Sequence, residues 1–299
     1  MKKEINSISR VTNVILNIIF ILAAAACILP IFLVAGISLT DEDSIMKFGY
    51  SIIPKVVSFK AYDFIYKVKG MVLDAYVLTI LVTLTGTILS TLITTMYAYC
   101  ISRKEFVYRK FFTYYLLFTM IFNGGMVPWY IVCVKLLHIN NNVLALLLPY
   151  LINGFYVIIM RTFIVTNVPD SIIESARIDG SGEIKTFFRI VVPLAVPGIA
   201  TIALFTTLVY WNDWWIPLML ITDSKLYNLQ YLLYKLMNNI ETLARLSSNL
   251  SGSSSEYSNL PSQGARMAMC IISIGPIVLA YPFFQKYFVK GLTIGSVKG

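Results

Sequence analysis

Charge is what this chain has least of. Asp, Glu, Lys and Arg make up 13% of its 299 residues, against 58% apolar residues and a mean hydropathy of +0.75. Soluble domains carry about 25% charged residues, so a water-covered globule is excluded and a polytopic membrane protein is what remains. There is one histidine, His138, beside Asn140, and histidine-based catalysis or metal binding has no second member. The four cysteines, Cys27, Cys100, Cys133 and Cys270, share no metal or redox spacing and all fall in apolar runs. They are read as small core hydrophobes, with no disulfide expected. No acids, cysteines or histidines recur at paired helical spacing inside the apolar runs, which argues against a membrane-embedded enzyme. The stretch Gly180-Ser181-Gly182-Glu183-Ile184-Lys185-Thr186 faintly matches a phosphate-binding loop. It fails because Ile184 stands where a glycine must precede the lysine, and no strand precedes it. No cofactor or metal is therefore expected, and any ATP must be hydrolysed by another chain. The net charge of +9 is spread over the ends of apolar runs rather than gathered in a patch, so no nucleic-acid partner is expected.

What is present is a series of charge-free runs: 11–40, 75–102, 111–134, 139–160, 190–212 with an extension past Asp213 to 222, and 267–285. Each approaches the ~20 residues of a bilayer crossing, and the reading is six transmembrane helices. The first run follows Lys2, Lys3 and Arg10 and contains Ala24-Ala25-Ala26-Cys27, like a lipoprotein signal; it continues to Leu39, so it reads as a retained helix. Asn123-Gly124-Gly125 and Pro128 predict a kink or break in the third run. Asp41-Glu42-Asp43 lacks calcium-loop spacing and reads as a solvated face. With the N-terminus inside, 14 of the 24 basic residues fall in 62 inner positions and 10 in 85 outer ones, as the positive-inside rule asks. Asp213 is the one charge interrupting a run, too little for ion-coupled transport.

A polar interruption between two long apolar spans, 169–197, reads PDSIIESARIDGSGEIKTFFRIVVPLAVP. Pro169 opens a helix, and Ser171 with Glu174 has the spacing of a capping box. Gly180 after Asp179 supplies the left-handed turn that ends it. A second segment restarts at Glu183 and runs through Pro193 and Pro197 into the next span.

This stretch resembles the EAA loop of the membrane subunits of bacterial ABC importers. Glu174-Ser175-Ala176, Asp179-Gly180, Phe187 or Phe188, and Ile190-Val191-Val192-Pro193 follow that pattern, with Ser175 for the middle alanine and Val192 for leucine. FNGGMVPWYIV, MRTF and the tail YPFFQKYFVKGLTIGSVKG extend the likeness to MalG-like carbohydrate permeases of the LplC/YtcP type. The resemblance implies an all-α, six-helix, type I ABC importer permease (MetI-like) fold, one permease domain over 1–299, in a bacterial cytoplasmic membrane with both termini cytoplasmic. It implies a cytoplasmic coupling loop at 169–197, in which Glu174, Ser175, Ala176, Asp179 and Gly180 dock on an ATPase. The implied partners are a second permease, two ABC ATPases and an extracytoplasmic sugar-binding protein.

The cluster Tyr210-Trp211-Asn212-Asp213-Trp214-Trp215 has aromatic faces for sugar C–H groups and polar groups for hydroxyls. Tyr210, Trp211, Asn212 and Trp215 are candidates for the substrate path, with an interfacial aromatic belt as the alternative. Residues 222–266 read as an extracytoplasmic loop: an amphipathic helix through Leu229, Leu233, Leu236, Ile240 and Leu243 suited to the membrane or a partner, then the Ser-rich tether SSNLSGSSSEYSNLPS. The tail carries Lys286, Lys290 and Lys298, read as a headgroup anchor. A non-sugar solute remains open on the residues alone.

Overall fold

A computed structural model describes residues 10–249 and 262–296; among these, helices account for nearly everything and no sheet forms. That follows from an apolar solvent, in which a helix satisfies its backbone groups within itself. The tether at 250–261 and the last three residues lie outside the described chain, as do the side chains of Lys286 and Lys290.

Two compact units share the chain. One comprises Met1–Lys69 and Leu236–Ile274. In it, α1 (Arg10–Ser38) runs unbroken past Pro30, followed by α2 (Glu42–Phe48) and α3 (Lys60–Lys67). Ser38 and Tyr62 share a 2.9 Å hydrogen bond, and Lys60 pairs with Asp41 at 3.1 Å. The acidic triplet is not the solvated face expected of it: the Glu42 carboxylate accepts from the backbone N–H groups of Gln263 and Gly264 at 3.0 and 3.3 Å. Those donors open a later helix, and a helix N-terminus attracts a carboxylate.

The other unit comprises Gly70–Lys235 and Gly275–Gly299. It is built on α4 (Lys69–Ser102), at 34 residues about 50 Å long. Then come α5 (Arg109–Ile121) and α6 (Met126–Ile131), the latter continued by a π-helical turn at Val132–Leu136. The third run does break as expected: the two halves turn by 115°, with Gly125 at φ +86° and its N–H held by the Asn123 side chain at 2.8 Å.

The fourth run starts later and ends later than its apolarity suggests. It forms α7 (Val143–Leu147) with a 3-10 turn to Tyr150, then α8 (Gly154–Asn167), bent by 51°. Asn142 and Asn153 cap α7 and α8 by accepting from the N–H groups of Leu144 and of Phe155 and Tyr156.

Next come α9 (Asp170–Ile178), α10 (Glu183–Thr186), a π-helical turn at Phe187–Val191, α11 (Val192–Leu194) and α12 (Val196–Trp211). The expected continuous run from Glu183 into the next span is corrected here, because the chain turns by 83° between Leu194 and Val196. Pro193 and Pro197 each remove a backbone donor on either side of that corner. The fifth run also stops at Trp211 rather than passing Asp213. It restarts as α13 (Trp215–Leu220), and α14 (Leu229–Asn249) and α15 (Ser262–Ser296) complete the chain.

Among the described residues, α1 and α4 are long and apolar enough to cross a bilayer, and three bent pairs match the third to fifth runs. The sixth run, 267–285, falls within α15. The amphipathic reading of α14 needs correcting at its first turn: Leu229, Leu232 and Leu233 are buried, and the Leu229 N–H is accepted by the Thr79 hydroxyl at 2.8 Å.

The core of this unit collects Ile101, Val157, Met160, Ile164, Val191 and Ile202 from four segments. Helices α4 and α12 meet at Gly86, over which the Tyr210 ring lies so closely that a Cβ there would sit 2.5 Å from Cζ. A rigid ring cannot give way as a flexible chain would. Gly86→Ala should cost about 1–3 kcal/mol through overpacking, read as a lowered unfolding temperature of the detergent-solubilised protein; an unchanged temperature would show that α4 and α12 do not pack this tightly.

Candidate functional site

Helix α9 begins at Asp170 with Pro169 outside it, in extended conformation and without a side-chain cap. The expected capping box of Ser171 and Glu174 does not form, since Ser171 already lies within the first turn. Its carbonyl instead accepts from the Ser175 hydroxyl at 2.9 Å. The other end matches expectation. Gly180 takes φ +75°, its N–H donates to the Arg177 carbonyl at 3.0 Å, and the Ser181 N–H donates to the Ala176 carbonyl at 2.9 Å. This pair of bonds is a Schellman ending.

Glu174, Ser175, Asp179 and Gly180 are exposed, Ala176 is half-buried, and Ile173 is the residue that anchors α9 in the core. Two exposed neighbours were not singled out from the sequence: Ile178, 86% exposed, and Ile184, 76% exposed. The signal was there, in isoleucines flanking a glycine turn within a charged segment. The face therefore offers two carboxylates, small residues and two apolar knobs. Such a face fits a concave protein surface and performs no bond chemistry.

Ionic groups hold this helix at both ends. Asp170 pairs with Lys104 at 3.1 Å and Arg103 at 3.6 Å, and Arg103 also reaches Glu105 at 3.3 Å. Arg177 in the last turn pairs with Glu183 at 2.8 Å and reaches Glu105 at 4.0 Å. Glu183 in turn accepts from the Tyr99 hydroxyl, at the end of α4, at 2.6 Å. From the sequence, Arg103 and Lys104 count only toward the density of inner basic residues, because Asp170 lies 66 positions from Lys104.

The aromatic cluster splits into two groups. Tyr210 and Trp211 are 2% and 4% exposed. The Tyr210 hydroxyl donates to the Leu147 carbonyl at 2.8 Å and its ring meets Tyr150 edge-on, while Trp211 tilts against Tyr76. Asp213 is also buried. Its Oδ1 accepts from the Tyr150 hydroxyl and from the N–H groups of Trp215 and Ile216, capping α13. Asn212 is exposed, Trp214 stacks on Tyr234, and half-buried Trp215 lies 4.8 Å from Trp129 between ring centres. The faces open to a solute are thus those of Asn212, Trp214 and the Trp129–Trp215 pair.

Glu183 precedes the apolar run that starts at Ile190. The hydrogen bond from Tyr99, then that from Arg177, hold its carboxyl below the ordinary value of 4.5 against a smaller opposing effect of burial. A lowered folded-state pKa means that its contribution to stability is full above about pH 4.5 and is lost as pH falls through the lower folded value. The stability difference between wild type and Glu183→Gln, followed by thermal unfolding in detergent, should thus be constant from pH 7 to 5 and shrink below that. A difference that grows on acidification would contradict the pairing.

Residues 95–294 match the family described as binding-protein-dependent transport system inner membrane component. The chain is 34% identical over 294 residues to the polygalacturonan/rhamnogalacturonan transport system permease protein YtcP of Bacillus subtilis, covering 97% of this chain and 99% of that one. It is 36% identical over 285 residues to protein LplC of the same organism, covering 95% and 94%. Among solved structures it resembles a chain of a bacterial ABC transporter involved in the import of the acidic polysaccharide alginate, with TM-score 0.77, 26% identity, and 96% and 100% of the two chains covered. A helical chain with apolar spans, an exposed loop helix held at both ends and this full-length likeness belongs to the binding-protein-dependent transport system inner membrane component family.

Proposed function

We propose that this membrane permease carries a sugar or complex oligosaccharide inward, delivered by an extracytoplasmic binding protein and driven by ATP hydrolysis on two partner ATPases. The observation that carries the reading is the rigid, exposed α9 with its Gly180 ending, placed between apolar runs in a chain without a nucleotide motif. Relatives named for polygalacturonan, rhamnogalacturonan and alginate transport support a saccharide cargo. In this reading the chain crosses six times as one domain, with 169–197 and both termini in the cytoplasm; the roughly twofold higher density of basic residues summed over the inner segments 1–10, 102–110, 161–189 and 286–299 supports it. A second permease completes the pathway.

Glu174, Ser175, Ala176, Asp179 and Gly180 form the docking face, with Ile178 and Ile184 as apolar anchors. When the ATPases close, α9 is pulled and the bent fifth span moves with it. On the outer side, Asn212, Trp215 and the adjoining Trp129 line the sugar path, while Tyr210 and Trp211 shape it from the core. Residues 222–266 are the outer loop that meets the binding protein.

Two measurements test this. An affinity pull-down of the tagged chain from its native membrane should recover an ABC ATPase, and Gly180→Trp should lose it while still inserting, because a side chain at positive φ costs about 1–2 kcal/mol and a bulky ring obstructs the face. Recovery of no ATPase by wild type would refute the reading. For the path, Asn212→Ala with Trp215→Ala should reduce uptake of oligosaccharide at least tenfold with assembly unchanged; wild-type uptake would remove these residues from the route.

A further inference from the structure

The docking helix is attached to α4 as well as to the spans that flank it in sequence. Five contacts make the attachment. Asp170 at the start of α9 meets Arg103 and Lys104 just past the end of α4. Arg177 in its last turn meets Glu183 and Glu105. Glu183 closes the set by accepting from Tyr99 inside α4 at 2.6 Å. Arg103 reaches both Asp170 of α9 and its own neighbour Glu105, and its side chain is only 9% exposed. Tyr99 is buried and its ring packs 5.5 Å from Phe187, the first residue of the π-helical turn that leads toward α12.

These contacts have a mechanical meaning. A helix held at one end by its chain pivots, whereas a helix held at both ends by charge-assisted bonds moves with what holds it. We propose that Glu183, fixed by Tyr99 and Arg177, is a positioning residue that makes α9 and the end of α4 one rigid piece, so that force on the docking face reaches α4 directly. This rests on the importer reading above. Asp170 and Glu183 present acid where Arg103, Lys104 and Arg177 present base, and Tyr99 adds a neutral donor to Glu183 from α4.

The test uses the complex purified from its native membrane with its ATPase, in a background whose four native cysteines are replaced by serine. Spin labels are placed at Leu89→Cys on α4 and Ser171→Cys on α9, both at exposed positions. Distances are measured without nucleotide and after trapping with ADP and vanadate. The expected result is a narrow distribution that trapping leaves unchanged, and a broadened or displaced one on trapping in Tyr99→Phe and in Glu183→Gln. The double variant should be no worse than either single, because the two groups act as one contact. Three results would overturn the proposal: a wild-type distance that shifts on trapping, variants that keep the wild-type distribution, or variants that lose the ATPase when wild type retains it. If wild type itself recovers no ATPase, the importer reading fails and the force path falls with it.

Discussion

Backbone hydrogen bonding in an apolar solvent is the constraint on which the architecture depends. Within a straight helix it is met automatically, so the apolar length of α1 and α4 is enough to define them. Each interruption leaves N–H groups to be satisfied by something else. Here a polar side chain stands at six of them. Asn123 serves the break before α6, Asn142 and Asn153 the starts of α7 and α8, and Asp213 the start of α13. Asn228 accepts from the Tyr231 N–H in the first turn of α14 and donates to the Asp213 carbonyl, linking two caps. Glu42 serves the opening of α15 from a distance in sequence of more than 200 residues. Among the described residues, buried Asp213, Asn228 and Thr79 serve helix starts, while the other buried hydroxyls of α4, at Thr83, Ser90, Thr91, Thr94 and Thr95, lie within the helix itself.

The loop region follows another logic. Water is available there, and the charged groups hold geometry rather than satisfy a backbone. Individually such exposed pairs contribute little, about 0–1 kcal/mol. Their placement at both ends of one nine-residue helix matters more than their strength, because it removes the freedom to pivot. The Schellman ending does the same job covalently close by, fixing where the chain leaves.

How much of this was legible in advance differs by feature. The loop was readable because its determinants are local: Pro169 and Gly180 act on their own neighbours, and the ending formed as expected. Capping by Ser171 was not, since Pro169 took the boundary two residues earlier than the spacing implied. Apolarity gave the spans but not their directions, because composition measures length in a solvent and says nothing about a corner. The 83° turn at Ala195 depends on two prolines and a π-helical turn acting together. Tyr210 illustrates the limit at the candidate path. Its position in an aromatic run suggested an open face, yet Gly86, more than 120 positions earlier, makes the vacancy that its ring fills. No local pattern records that pairing.

Ile178 and Ile184 have a final consequence when set beside the fixed backbone around them. A partner that binds a disordered loop must spend part of its interaction on ordering that loop. Here the ordering is already complete in the free chain, so nearly all of the apolar surface that the two side chains hide on contact counts toward affinity. In the proposed docking, recognition can then be strong over a small footprint. It also leaves the affinity tunable by a single methyl group, at about 0.8 kcal/mol for each CH2 buried.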